Sequence, residues 1–129
     1  MMHERALAHT STAGAAPPPE FGGRWVNQLS STMQLTVAGT RVSGTYQSAV
    51  SGGQGPITGD LLGFINGDLI AFVVHWPTAA ITAWVGQHVV EDGQEAIQTL
   101  WQMTTNVPDP NEPSGLWQSV LAGADRFRR

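Results

Sequence analysis

The sequence predicts an all-β chain, an eight-stranded antiparallel up-and-down β-barrel, on three observations. From Phe21 onward, short stretches rich in Val, Ile, Thr and aromatics alternate with Gly, Asn, Asp and Pro, the punctuation of strands joined by tight turns. Eight such stretches can be marked, at 23–29, 32–37, 41–47, 57–62, 68–75, 81–89, 95–104 and 125–128. Eight meandering strands close into a barrel whose interior has room for side chains and one small ligand. With 129 residues and no second hydrophobic block, the chain supports one domain and one core.

Taken in order, residues 1–21 combine Ala, Ser and Thr with three consecutive prolines, Pro17 to Pro19. They bury too little apolar area to offset the entropy of ordering, so a flexible arm is expected there and a barrel domain over 22–129. Residues two apart on a strand share a face. Trp25, Asn27, Leu29 and Ser31 are thus expected on one side, and Tyr46, Ser48 and Val50 on one side of another strand. The same holds for Thr82 with Trp84 and for Trp101 with Met103. Breaks fall at Ala38-Gly39, at the Gly-rich loop from Ser51 to Pro56, at Asn66-Gly67, Pro77 and Asp92-Gly93, and in the proline-rich stretch 107–113. Asn66-Gly67 is the sharpest hairpin signal, because both central positions of a type I′ turn need positive φ. Leu116, Val120 and Leu121 also permit a short helical turn before the last strand.

Composition excludes several classes of function. The charged fraction is 12%, the net charge is −4 and every basic side chain outside histidine is arginine, so there is no basic footprint for nucleic acid. Cysteine is absent, which removes disulfides, thiolate metal sites and thiol nucleophiles. His3, His9, His75 and His88 lack metal-ligand spacing, and no metal is assigned. The longest apolar run, Leu69 to Val74, is too short to cross a bilayer as a helix. Met1 to Glu20 contains no apolar segment of the kind a secretory signal needs. No G-x-S-x-G or H-E-x-x-H motif occurs; Ser48, His75 and Asp125 supply a serine, histidine and aspartate without motif support, so no catalytic residue is assigned.

Two patterns point to binding instead. The faces that carry tryptophans also carry hydroxyls and an amide, a mixture that suits a small-molecule site better than a plain core. Ile81, Ala83 and Val85 are apolar at the opposite parity, and 69–74 is apolar at both parities. A barrel wall that faces water alternates, so burial on both faces, and hence a sheet-face oligomer interface, is expected.

Four ordered segments carry a family resemblance: Gly23-Arg24-Trp25-Val26-Asn27-Gln28-Leu29-Ser30-Ser31, Gly44-Thr45-Tyr46-Gln47-Ser48-Ala49-Val50, Thr82-Ala83-Trp84-Val85-Gly86-Gln87, and Leu116-Trp117-Gln118-Ser119-Val120-Leu121 with Asp125. Together they resemble the avidin and streptavidin family, its bacterial streptavidin-like branch above all, from about Gly22 to Phe127. The resemblance implies an oligomeric barrel that binds biotin, as a bound ligand and not as a cofactor. Asn27, Ser31 and Tyr46 would donate to the ureido oxygen, and Ser48 and Asp125 would accept from the ureido nitrogens. Thr82 would approach the ring sulfur, with Val50 beside the ring. Trp76, Trp84 and Trp101 would wall the bicycle, and Leu29 and Met103 would add apolar lining. Trp117 would enter the pocket from a neighbouring subunit, which, with the absence of cysteine, favours a homotetramer over a dimer. A secreted or extracellular location is implied by the resemblance alone.

Departures from the family pattern fall at the mouth. Ala80 stands where the family commonly has a serine for the biotin carboxylate, and the connection from Trp76 to Thr82 is shorter than in streptavidin. A weaker hold on the ligand tail is expected, by about 0.5–1.5 kcal/mol for one neutral hydrogen bond. The loop from Ser51 to Pro56 is expected to cover the site. A lipocalin-like barrel for another apolar ligand is the alternative; it predicts a mostly apolar interior, against which the polar residues argue. An avidin-like oligomer with a different ligand or a structural role fits the same residues.

Overall fold

A computed structural model describes residues 2–10, 18–49, 55–108 and 119–129. Eight strands follow a short helix: α1 (His3–Ala8), β1 (Gly23–Asn27), β2 (Thr32–Ala38), β3 (Arg41–Ser48), β4 (Ile57–Asn66), β5 (Leu69–His75), β6 (Ala80–Glu91), β7 (Gln94–Thr105) and β8 (Val120–Arg128). Each strand pairs antiparallel with the next and β8 returns to β1, closing the barrel. The expected eight-stranded up-and-down architecture is therefore present. Helix α1, at six residues and with no buried side chain, is an addition to the arm that composition did not suggest.

Turn chemistry sets the hairpins. Gly67 has φ +60°, and Asp92 and Gly93 have φ +52° and +76°, the left-handed values that tight two-residue turns need. The type I′ turn expected at Asn66-Gly67 is shifted by one residue: Asn66 pairs with Leu69, and Gly67-Asp68 form the two-residue loop, with positive φ at Gly67 and not at Asn66. Strand β4 therefore runs to Asn66, four residues past the expected end at 62. Strand β8 begins at Val120, five residues before the expected start at 125. Of the helical turn expected before the last strand, Ser119 is 3-10 helical, whereas Val120 and Leu121 belong to the strand because they pair with Thr104 and Met103 of the long strand β7. Residues 109–118, which held the rest of that expectation, lie outside the described residues.

Side chains alternate along each strand, and the inner set makes one core. Trp25, Met33, Leu61, Ile70, Phe72, Ile97 and Phe127 are almost fully buried. Phe21 joins them although it precedes β1, and its carbonyl accepts the Trp25 indole N–H at 2.9 Å. The end of the barrel near Phe21 is sealed by His88, whose ring meets Phe21 and Trp25 edge-on and lies 3.0 Å from Glu95 Oε1. The Arg129 guanidinium covers the Trp25 ring at 4.0 Å and donates to the Gly22 carbonyl at 2.6 Å. His88 above all, with Arg129, holds the Glu95 carboxyl below its ordinary range.

The outer set is the face on which an oligomer interface is expected, and in the single chain it is uncovered. Leu62, Phe64, Val85 and Leu100 are 60–70% exposed, and Leu69, Val73 and Ile81 are exposed as well. Among the described residues nothing covers this wall, since their core is inside the barrel.

Candidate functional site

The polar residues collect at the end of the barrel opposite Phe21, where β1, β3, β5 and β7 finish. Asn27 closes β1, and the chain turns there: Ser30 N–H donates to the Asn27 carbonyl at 3.1 Å, with Ser30 at φ +67°. The Asn27 side chain organises this turn, since Oδ1 accepts the backbone N–H of Leu29 at 2.9 Å and of Ser31 at 3.0 Å. Its Nδ2 is thereby aimed inward and donates to the Tyr46 hydroxyl at 3.2 Å. Tyr46 also hydrogen-bonds the Ser31 side chain, and Ser31 Oγ accepts the Ala49 N–H at 3.0 Å. Burial, and next the nearby Asp125 carboxylate, push the Tyr46 hydroxyl well above its ordinary pKa. Tyr46 is therefore a neutral hydroxyl at any physiological pH.

Asp125 faces this cluster from β8. The Trp84 indole N–H donates to Oδ2 at 2.9 Å and the Gln28 amide donates to Oδ1 at 2.7 Å. Trp84 stacks on Tyr46 at 4.8 Å between centroids and on Phe72 at 5.1 Å. Being 4% exposed, Trp84 lies beneath the site and contributes its indole N–H. Trp76 is half-buried, meets Tyr46 edge-on at 5.6 Å, and donates from its indole to Thr82 Oγ1 at 2.9 Å. With its lone pair engaged, the Thr82 hydroxyl is free to turn its proton elsewhere. The arrangement is a small array of hydroxyl, amide and carboxylate groups on an aromatic floor. It can hold a compact polar group that offers both acceptors and donors.

A profile of the avidin family matches residues 16–129. The chain belongs to the avidin family. No curated protein sequence matches it, whereas solved structures do. Xenavidin is 26% identical, with a TM-score of 0.75 over 85% of this chain and 96% of that one. A biotin-binding protein from chicken is 28% identical, with a TM-score of 0.74 over 85% and 95% of the two chains. Rhizavidin in complex with biotin is 27% identical, with a TM-score of 0.66 over 82% and 96%.

Within this family member, Asn27, Ser31, Tyr46, Thr82, Trp84 and Asp125 come together at one end of the barrel, with Trp76 beside them. Ser48 is half-buried where β3 ends, and Trp101 and Met103 are half-buried on β7. Leu29 departs from the shared face expected of it: β1 stops at Asn27, and Leu29 is 60% exposed on the turn. The alternation fails there because Asn27 has drawn the backbone into a turn. Val50 and Trp117 lie outside the described residues. His75 is exposed on the outer side of β5, so it is not assembled with Ser48 and Asp125. Two contributors were missed by side-chain parity. Gln28 reaches Asp125 from outside the inward-facing series. Gly123, opposite Trp101 in the β7–β8 ladder, leaves room that its own Cβ would fill at 2.6 Å from the indole. Only the contact itself identifies either one.

Proposed function

We propose that this chain binds biotin non-covalently at the polar end of its barrel and carries out no reaction on it. The observation that carries the reading is the joined set Asn27, Ser31 and Tyr46 facing Asp125 in a member of the avidin family. A urea needs donors for its oxygen and acceptors for its N–H groups, and this set supplies both. Asn27, Ser31 and Tyr46 donate to the ureido oxygen, while Ser48 and Asp125 accept from the ureido nitrogens. The bond to Asp125 is charge-assisted and roughly twice as strong as a neutral one. The donors are already held by one another, so little ordering remains to be done on binding. Thr82 turns its hydroxyl toward the ring sulfur, and Trp76, Trp101, Met103 and Val50 line the bicycle. Trp84 serves as the floor and Leu29 as the edge of the mouth.

The second part of the reading concerns assembly. Leu62, Phe64, Val73 and Val85 form an exposed apolar wall around an outer groove of about 590 Å³, and patches of this kind mark interfaces. A homo-oligomer covers it, a tetramer in preference to a dimer, with Trp117 entering the neighbour's pocket. Titration calorimetry and thermal shift with biotin test the binding. A tight ligand raises stability by RT ln(1 + [L]/Kd), about 2.7 kcal/mol at a hundred times Kd. No heat and no shift at saturating biotin overturns the proposal.

A further inference from the structure

The seam between β1 and β8 is the shortest in the barrel. It has two register pairs, Val26 with Arg128 and Asn27 with Phe127, whereas β6 and β7 share twelve. Beyond Asn27 the main chain turns away into residues 28–31, and β8, still paired with β7 on its other side, continues past the site with no strand on its β1 side. The Gln28 carboxamide takes the place of the missing strand. Its Oε1 accepts the Arg126 backbone N–H at 3.0 Å, and its Nε2 approaches the Ala124 carbonyl at 3.5 Å. One side-chain amide thus presents the acceptor and donor that a peptide unit of β1 would have presented at the next step of the ladder. The same Nε2 donates to Asp125 Oδ1 at 2.7 Å, while Trp84 donates to the other oxygen.

We propose that Gln28 is a positioning residue for the ligand site: it closes the β1–β8 seam as a peptide surrogate and, through the same amide, fixes the carboxylate plane of Asp125. This rests on the reading of Asp125 as a ligand acceptor. Gln28 is exposed, and its amide reaches the site through Asp125. With both carboxylate oxygens held by N–H donors, Asp125 has one orientation in which its remaining lone pairs face Tyr46 and the pocket. Without Gln28 one oxygen is released and β8 loses its partner on the β1 side.

Two substitutions separate the two roles. Gln28→Leu removes both. Gln28→Glu keeps an oxygen for the Arg126 N–H but replaces the donor to Asp125 with a carboxylate that repels it. In the unliganded protein, amide hydrogen exchange at Arg126 is expected to speed up in Gln28→Leu and to stay close to wild type in Gln28→Glu. The Trp84 indole N–H resonance should move in both. In biotin titrations each substitution is expected to weaken binding by about threefold to tenfold, the size of one lost hydrogen bond. In an Asp125→Ala background the same substitutions should change affinity less than about twofold. Equal losses in both backgrounds, or an unmoved Trp84 resonance, overturn the positioning role. If the wild-type protein does not bind biotin, the proposed function falls, and the exchange and resonance measurements still decide whether Gln28 holds Asp125 and the seam.

Discussion

Tyr46 joins the core to the site. Its ring stacks on Trp84 and meets Trp76 and Phe127 edge-on, while its hydroxyl receives Asn27 and bonds Ser31. Tyr46→Phe keeps the ring and leaves Asn27 Nδ2 without its partner, so unfolding in urea should show a loss of about 1–3 kcal/mol and calorimetry a weaker grip on biotin. The raised Tyr46 pKa also has a sign. The unfolded chain releases this proton near the ordinary value of 10.0, while the folded chain retains it to higher pH. Between those values the native state binds more protons, and stability must fall as pH rises. The contribution of Tyr46 should thus be constant below pH 10 and decline above it, and Tyr46→Phe should flatten that decline in an alkaline unfolding series. At Asp125 the charge matters as well as the shape. Asp125→Asn should weaken biotin binding by about tenfold or more, through loss of a charge-assisted acceptor, with little change in melting temperature. Unchanged affinity would remove Asp125 from the site.

Two glycines show how strands and turns place these residues for different reasons. Gly67 has φ +60° and open space where a Cβ would stand, so Gly67→Ala should cost about 1–2 kcal/mol through the backbone alone, leaving ligand affinity unchanged. Gly123 is free of that constraint, but its Cβ would press on the Trp101 indole at 2.6 Å from Cζ2. Gly123→Ala should displace Trp101, seen as a shifted tryptophan emission, and weaken biotin binding more than it lowers stability. The strand count and the β4–β5 hairpin were legible from turn residues, because positive φ restricts which residues fit, although the loop is Gly67-Asp68 and Asn66 stays in the strand. The end of β1 was not. Trp25, Asn27 and Ser31 do face inward, but Leu29 does not, because Asn27 bonds two backbone N–H groups and bends the chain. The early start of β8 was hidden for a similar reason: its strand character comes from pairing with β7, and Ala122 to Ala124 carry little intrinsic preference for a strand.

For the whole molecule, the contrast lies between a sealed interior and an open apolar wall. Phe21, His88, Glu95 and Arg129 close one end and the polar cluster occupies the other, while Leu62, Phe64, Val85 and Leu100 stand exposed on the outside. Val85→Arg, at the centre of that wall, should shift sedimentation toward smaller species while the circular dichroism of the barrel persists. An unchanged sedimentation coefficient in the double substitution Val85→Arg with Leu100→Arg would mean that this wall is not the interface. Sequence by itself determined the all-β class, eight strands, most inward-facing residues and the family, since period-two alternation, turn chemistry and ordered motifs are local properties written along the chain. Tertiary structure alone decided that Trp84 lies under the site as a donor to Asp125, that Gly123 makes room for Trp101, and that Gln28 stands in for a missing strand. Each of these depends on which residues of distant strands come opposite one another, and that register is set only when the barrel closes.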